Sequence, residues 1–388
     1  MAGDGREFDV VVLGATGFTG RLTAEYLARQ GDSGTRWAVA GRNKGKLAAL
    51  RDELGVDVPI VHADSDDLGS LRDLAGRTRV VATTVGPYLV YGERLVQACA
   101  ELGTDYVDLT GEPEFVDLMY LRHHDTAVRS GARIVHACGF DSIPHDLGAY
   151  FTVRQLPEGV PLRVEGYVRA SGRISGGTLH SALTAFGRGR QMAVIGKRRR
   201  RAEHAGDRDA RAVAGRPRLD RALGGWVLPL PTIDPQVVRR SAAALERYGP
   251  SFRYSHYAVL PNLLTTVGVV GGVGVLFAGA QLPVTRRWLL SRLPAGEGPS
   301  AKQREDSWFS VRFVGEGGGR RVVTEVSGGD PGYGETAKML AESALCLAHD
   351  DLPPTAGQVT TAPAMGDALI ARLQKAGIAF TVLESSEG

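Results

Sequence analysis

The chain has 388 residues, 43% of them hydrophobic, and a formal net charge of +3. At roughly 100–200 residues per domain this length suggests two domains, and so balanced a charge argues against a nucleic-acid binder working by bulk attraction. The cysteines, Cys99, Cys138 and Cys346, are few and far apart, which argues against a disulfide framework or a zinc site. With a polar first segment that lacks the apolar core of a secretory signal, they predict a reducing, cytoplasmic setting.

Residues 8–13, Phe-Asp-Val-Val-Val-Leu, read as a buried strand that ends directly at Gly14. A helix over 18–29 follows, with Leu22, Tyr26 and Leu27 at helical spacing, then a strand at 37–40, a helix over 43–54 and a strand at 58–61. The alternation continues: helix 67–75, strand 79–83, helix 93–102, strand 105–108, helix 114–130, strand 133–136. It predicts an α/β domain with a doubly wound parallel sheet. Beyond residue 160 the pattern changes. Segments 162–168, 310–314 and 321–326 alternate apolar and polar residues, as in an antiparallel sheet with one solvated face, and define a second α+β domain. The tail holds two predicted helices, 335–348 and 363–375. No internal repeat is evident.

Chemistry enters at the first turn. Gly14-Ala15-Thr16-Gly17-Phe18-Thr19-Gly20 joins strand to helix, and glycines there allow a tight turn and close approach of backbone N–H groups to a pyrophosphate at a helix N-terminus. The spacing is weak alone and strong in this context. NAD-binding folds usually carry an acid at the end of the second strand. This chain has Gly41-Arg42-Asn43-Lys44, suited to a 2′-phosphate, so NADPH is the expected cofactor. The competing reading of Arg42 is a solvated cation at a helix start. Asp64 is read equally as an acceptor for the adenine amino group or as a helix cap. Thr84, Gly86 and Pro87 lie in the loop after the fourth strand, at the ligand-binding edge of such sheets.

The chain resembles the saccharopine dehydrogenase-like reductases, and within them the mycobacterial trans-acting enoyl reductase branch. The resemblance rests on the glycine turn, Ala40-Gly-Arg, Thr84-Val-Gly-Pro-Tyr, Tyr106-Val-Asp-Leu-Thr-Gly-Glu-Pro and His136-Ala-Cys-Gly-Phe-Asp-Ser-Ile-Pro. It continues through Ser175-Gly-Gly-Thr, Gly329-Asp-Pro-Gly-Tyr and Ala362-Pro-Ala-Met-Gly-Asp, in order along nearly the whole chain. It implies an N-terminal Rossmann domain, a second domain inserted before the C-terminal helices, and a tail that returns to the first. The corresponding boundaries are 1–150, 151–330 and 331–388. It also implies reduction of a double bond in a polyketide or lipid chain held by a separate synthase. Other relatives act on amino acids, so an amino-acid-linked or imine oxidoreductase is the alternative, with Arg163, Arg169 and Arg173 available to hold carboxylates. A non-catalytic NADPH-binding scaffold at a membrane is a third reading.

Enoyl reduction needs a hydride, a proton donor for the α carbon and a hydrogen bond to the enolate oxygen. Tyr88 and Tyr91 flank the loop after the fourth strand and are candidate donors; the competing role is that of amphipathic wall residues. Glu112 is an acid or a helix-start carboxylate. His136, Cys138, Asp141 and His145 follow the sixth strand; Asp141 is the third catalytic candidate, against a helix cap made by Asp141 or Ser142. Cys138 lacks a base partner. Ser175–Thr178 could meet a carbonyl or simply cap a helix.

Gly187–Arg221 is arginine-rich, including Lys197-Arg-Arg-Arg-Arg201. It is read first as a solvated loop and second as a docking surface for an acidic carrier protein. Ala258–Val284 carries no charge but contains proline, asparagine and many glycines. It is read as a buried or membrane-facing segment lining an apolar tunnel rather than a true span. The expected partners are therefore an acyl or polyketide chain on a carrier, peripheral contact with the inner face of the cell membrane, and a second copy in a homodimer; no metal or nucleic acid is expected.

Overall fold

The computed structural model describes residues 5–30, 34–171, 187–203, 208–281, 285 and 298–387. The first half runs β1 (Phe8–Leu13), α1 (Phe18–Arg29), β2 (Trp37–Gly41), α2 (Lys44–Leu54), β3 (Ile60–His62), α3 (Leu68–Arg77), β4 (Thr78–Thr83), α4 (Tyr88–Tyr91), α5 (Glu93–Leu102), β5 (Asp105–Asp108), α6 (Pro113–Ser130), β6 (Arg133–Val135) and α7 (Ile143–Val153). Then come β7 (Leu162–Ala170), α8 (Gly189–Ala202), β8 (Asp209–Ala212), β9 (Arg218–Asp220), β10 (Gly225–Pro229), α9 (Asp234–Ala244), a 3-10 turn (Glu246–Tyr248) and β11 (Ser251–Leu260). The chain ends with α10 (Leu263–Gln281), α11 (Ala301–Glu305), β12 (Phe309–Gly317), β13 (Arg320–Gly328), α12 (Gly334–His349), β14 (Gly357–Val359), α13 (Thr361–Lys375) and β15 (Ala379–Glu387).

These elements form two compact units. The first takes residues up to Phe140 together with Gly332–Ala376. Its seven-stranded sheet has the order β14-β6-β5-β4-β1-β2-β3, parallel throughout. Helices cover both faces, so β1 is buried along its whole length and can be Val-rich without alternation. Asp105 on β5 receives both the backbone N–H (2.8 Å) and the guanidinium of Arg133 on β6, which ties neighbouring strands at one end. The predicted return of the tail is observed: α12 packs against α1 and the central strands, and the short β14, unmarked in the sequence, extends the sheet beside β6.

The second unit takes most of residues 141–331 and the last strand. Its sheet runs β15-β13-β12-β7-β11-β10-β9, with β8 also on β11. The three segments that alternate in sequence become the adjacent strands β13, β12 and β7, and β12 alternates buried and half-buried residues as expected. The sheet is mixed rather than simply antiparallel, because β7 pairs with β11 in parallel. A parallel pair needs a long crossover, and residues 171–250 supply it. The helix α7 lies on β12 and β13. A Cβ on Gly148 would stand 2.3 Å from the Phe313 ring, so the helix approaches the sheet as closely as a bare Cα allows.

Two expectations are corrected here. The basic region is a helix, α8, and not a loop over its first part: Arg199 is buried and pairs with Glu203 at 2.7 Å, while Glu203 also meets Arg239 and Arg240. That concentration of cations holds the Glu203 carboxyl down at about 2 against the cost of burial. Of the two readings of the apolar stretch, the buried one is overturned. The stretch divides into the end of β11 and the helix α10, whose side chains are almost wholly exposed. Residues 282–284 lie outside the described residues.

Gly148→Val should lower stability by about 2 kcal/mol, the usual cost of forcing volume into a packed core. Adding Phe313→Leu should recover most of that loss. Urea unfolding midpoints of the three proteins check both statements, and a Gly148→Val protein as stable as the parent would refute the tight contact.

Candidate functional site

The glycine turn occupies the carboxyl edge of the first unit's sheet. Gly14 has φ +88°, a conformation that favours glycine, and a Cβ there would lie 2.8 Å from Val85. The Gly17 N–H donates to the Gly14 carbonyl at 2.9 Å and closes the turn. A Cβ on Gly20 would stand 2.2 Å from that same carbonyl, so α1 is pressed directly onto the turn. Thr84 supports both from β4: its N–H donates to the Leu13 carbonyl (3.0 Å) and its hydroxyl to the Gly14 carbonyl (3.2 Å). Thr84 thus acts on the turn itself. The start of α1 carries no side-chain cap, and Ala15 is buried beneath the exposed Thr16 and Gly17. First-turn N–H groups have no intrahelical carbonyl to bond, so this cradle fits a pyrophosphate. Phe18 packs edge-on against Tyr333 at 4.8 Å, a contact from the Gly329–Tyr333 motif that sequence reasoning did not connect to the turn.

At the end of β2, Arg42 and Lys44 are exposed and, among the described residues, form no ion pair. Asn43 caps α2 by accepting from the Lys46 N–H at 3.0 Å, which sets the direction in which the chain leaves the strand. Asp64 is not the cap of α3. That role falls to Asp67, which accepts from Gly69 at 2.9 Å, while Asp64 accepts from the Asp66 N–H in its own turn.

The loop after β4 contains Gly86 and Pro87 and leads into α4. Tyr88 is corrected as a proton donor: it is buried, its hydroxyl donates to the Thr83 carbonyl at 3.2 Å and accepts from the Leu109 N–H at 3.1 Å. Burial pushes its phenol far above the ordinary range. Glu112 is likewise spent on structure, accepting from the N–H groups of Tyr88 (3.1 Å) and Leu89 (2.9 Å) at the start of α4. Tyr91, by contrast, is exposed. Beside them Asp108, fully buried, gathers Tyr106 (2.8 Å), His136 Nδ1 (2.6 Å) and the N–H groups of Thr110 and Ala137. It fixes the ends of β5 and β6. The sequence showed Asp108 only as the last residue of a strand, and nothing local marks it as a hub.

The second unit has a buried polar cluster of its own. Asp234, the first residue of α9, faces His145 Nδ1 at 3.1 Å and His256 Nε2 at 3.6 Å, and accepts from the Thr232 hydroxyl. His256 Nδ1 lies 3.2 Å from the Tyr254 hydroxyl, and the two imidazoles meet edge to face at 4.8 Å. One ligand atom from each of His145, Asp234 and His256 lies within 4.8 Å of the others, a donor set that could hold a divalent cation; in the structure these groups pair with one another. His145 above all holds the Asp234 carboxyl down at about 2, against the cost of burial, whereas burial drives His256 down to about 3 and so keeps it neutral. Asp141, partly exposed, is driven the other way. Desolvation and repulsion from Asp234 raise its carboxyl to about 7. Capping is not its role: the N-cap of α7 is Ser142, and its side chain makes no capping bond either.

The arginines proposed to hold carboxylates are engaged elsewhere. Arg163 pairs with Glu165 at 2.9 Å and Arg169 donates to the Leu223 carbonyl. Arg173 and Ser175–Thr178 lie outside the described residues. In the first unit a cleft of about 360 Å³ is lined by Tyr26, Gln30, Glu342, Asp350 and Arg372. It sits at the far end of α1 from the glycine turn, and its polar groups satisfy one another: Tyr26 donates to Glu342 at 2.6 Å, and Arg372 grips Asp350 at 2.6 and 2.7 Å.

Asp234→Asn should cost about 3 kcal/mol at neutral pH by removing one side of a buried charge cluster. The depressed Asp234 carboxyl contributes stability that is present above its unfolded value, about 4, and is lost as the pH falls toward 2. Raised Asp141 has the opposite sign: its contribution is full below about 4 and lost as the pH rises through 7. In Asp234→Asn the Asp141 titration, followed by carboxyl-carbon NMR, should move down toward 4. An unmoved titration would show that Asp234 does not set it.

Comparison with known proteins agrees with this geometry. The model of the saccharopine dehydrogenase NADP-binding domain matches residues 10–135, inside the first unit, and the cofactor is NADP(H). A Mycobacterium tuberculosis protein named, provisionally, as a trans-acting enoyl reductase is 39% identical, covering 98% of each chain. The trans-acting enoyl reductase of Mycobacterium ulcerans is 35% identical over 97% of this chain and 98% of its own, and the saccharopine dehydrogenase-like oxidoreductase of Bos taurus is 33% identical over 100% of both. Among solved structures, apo saccharopine dehydrogenase (L-Glu forming) from Saccharomyces cerevisiae shares the fold, with a TM-score of 0.54 at 12% identity over 97% of this chain and 100% of that one. The NADP cradle, the two sheets and this likeness along the whole chain make the protein a member of the saccharopine dehydrogenase-like oxidoreductase family.

Proposed function

We propose that the chain is an NADPH-dependent reductase that saturates a carbon–carbon double bond in an acyl or polyketide chain presented by a separate synthase or carrier protein. The observation that carries this reading is the full-length likeness to mycobacterial proteins named for trans-acting enoyl reduction. The amino-acid alternative loses its support, since Arg163 and Arg169 are already bonded within the second unit.

NADPH, when bound, supplies the hydride. The chain's own residues bind, orient and protonate. N–H groups at the start of α1 would take the pyrophosphate oxygens, with Gly14, Gly17 and Gly20 leaving room for them. Arg42 and Lys44 would hold the 2′-phosphate, and Asp64 would accept from the adenine amino group. Gly86 and Pro87 would let the backbone pass close to the ribose and nicotinamide. Reduction also requires a proton at the α carbon. Asp141, its carboxyl raised to about 7, is the leading donor; Tyr91, an exposed residue, is the second.

Arg42→Asp should weaken NADPH binding by about tenfold or more, the worth of a lost charge-assisted contact, and leave NADH binding nearly unchanged. Fluorescence titration of both cofactors checks this, and equal losses for the two would remove Arg42 from the 2′-phosphate.

For the reaction, NADPH absorbance should fall with an α,β-unsaturated acyl thioester and not with an amino acid plus a keto acid. Asp141→Asn should lower kcat by about 100-fold or more and abolish the limb of the pH–rate profile near 7. Turnover with the second substrate pair alone would overturn the enoyl reading, and a retained limb would pass the proton to another group.

A further inference from the structure

The helix α10 spans 19 residues without a charged side chain, about 28 Å at the rise of an α-helix. Two kinds of helix share that composition without anchoring a mature protein in lipid: the core helix of a globular protein and an N-terminal signal. Here neither description holds, because the helix lies mid-chain and is almost wholly exposed. Its apolar surface is not a stripe. Leu264, Val267, Val269, Val270 and Val273 are all exposed and, at 100° per residue, spread over about 220° of the circumference, and the remaining arc carries no charged side chain either. A protein partner or a second copy packs against one side of a helix and leaves the other in water. Only a fluid apolar medium covers every side at once, and an α-helix tolerates that medium because its backbone groups are satisfied internally.

The topology then decides how the helix sits. The chain leaves the second unit's sheet at the end of β11 and rejoins it at β12, and only β7 separates those strands. Both ends of the excursion therefore belong on the same side of a bilayer. A helix that crossed would have to bring the chain back through hydrocarbon between Thr285 and Ser300. That stretch contains Arg286, Arg287, Arg292 and Glu297 and is too charged to return through lipid. An interfacial helix normally keeps one polar face in the headgroups; α10 has none, so it can sink below them.

We infer that α10 is a one-sided membrane anchor, immersed in the apolar layer of a single leaflet without crossing it. The exposed cations Lys197, Arg198, Arg200 and Arg201, on α8 of the same unit, give this half of the protein a preference for anionic headgroups. The inference is independent of the reaction catalysed.

The full chain should float with vesicles of equal parts phosphatidylcholine and phosphatidylglycerol, and remain bound in molar salt, where purely electrostatic attachment is screened away. Leu264→Lys with Val270→Lys changes only exposed positions; it should leave the melting temperature unchanged and reduce vesicle binding by at least about tenfold. Single cysteines can be read without interference, because Cys99, Cys138 and Cys346 are all buried. A fluorophore on Val270→Cys should shift to the blue on adding vesicles, and Thr285→Cys should react with a membrane-impermeant maleimide added outside. Absence of flotation would overturn the anchor. So would a blue shift without lipid accompanied by a doubled mass in sedimentation, which would make a second copy the cover. Reaction of Thr285→Cys only after detergent would mean that the helix crosses, and would overturn the one-leaflet placement.

Discussion

The contact on which the first unit depends is that between Gly20 and the carbonyl of Gly14. With 2.2 Å available where a Cβ would stand, no side chain fits there. The absence of one lets α1 begin directly over the end of β1, so the helix N-terminus and the carboxyl edge of the sheet coincide. Thr84 locks this arrangement from the neighbouring strand by bonding the same carbonyl. Position, dipole and backbone donors for an anion thus arise from one steric fact. The same sheet sets the end of β2, where the exposed Arg42 follows, beside the strand that leads into the turn, which is the placement the proposed 2′-phosphate contact needs.

Around that edge most of the conspicuous polar residues hold the scaffold. Tyr88, Glu112 and Asp108 bond backbone groups at the ends of β4, β5 and β6 or at the start of α4. Their chemistry could serve catalysis, but their donors and acceptors are already engaged. Charged and phenolic groups are costly to bury unpaired, so a sheet edge that must remain open to a ligand is kept in shape by groups facing inward. What stays outward includes Arg42, Lys44, Tyr91 and part of the glycine turn.

The legibility of the sequence follows the range of the forces involved. The β-α alternation, the glycine turn and the cation after β2 are local patterns, and the first unit has the elements they predict. Segments 162–168, 310–314 and 321–326 gave away three strands because alternation is also local. The parallel partner β11 was harder to see, since Pro261 and the apolar run beyond it blur the end of its pattern. Strand β15 was missed because its side chains are nearly all exposed; its place comes from pairing with β13, not from a buried face. Arginine density suggested a loop over Gly187–Arg221, yet Arg199 turns inward to pair with Glu203, which also meets Arg239 and Arg240 of α9, while the other cations of that turn face solvent on a helix.

Asp141 is the extreme case of the same rule. Nothing in Asp141-Ser-Ile-Pro marks a carboxyl that holds its proton, because that property is set by the loss of water around it and by Asp234 on α9. His145 draws the charge onto Asp234, and desolvation together with the charge on Asp234 keeps the proton on Asp141. Two carboxyls of the same type are thereby separated into an anion and an acid by their surroundings alone, which is how one scaffold can run proton chemistry near neutral pH. The glycine turn could be read from seven consecutive residues because its function is steric and local. A carboxyl's readiness to give a proton is an electrostatic property of the folded unit, and it becomes visible only once α7, α9 and β11 have brought their charges together.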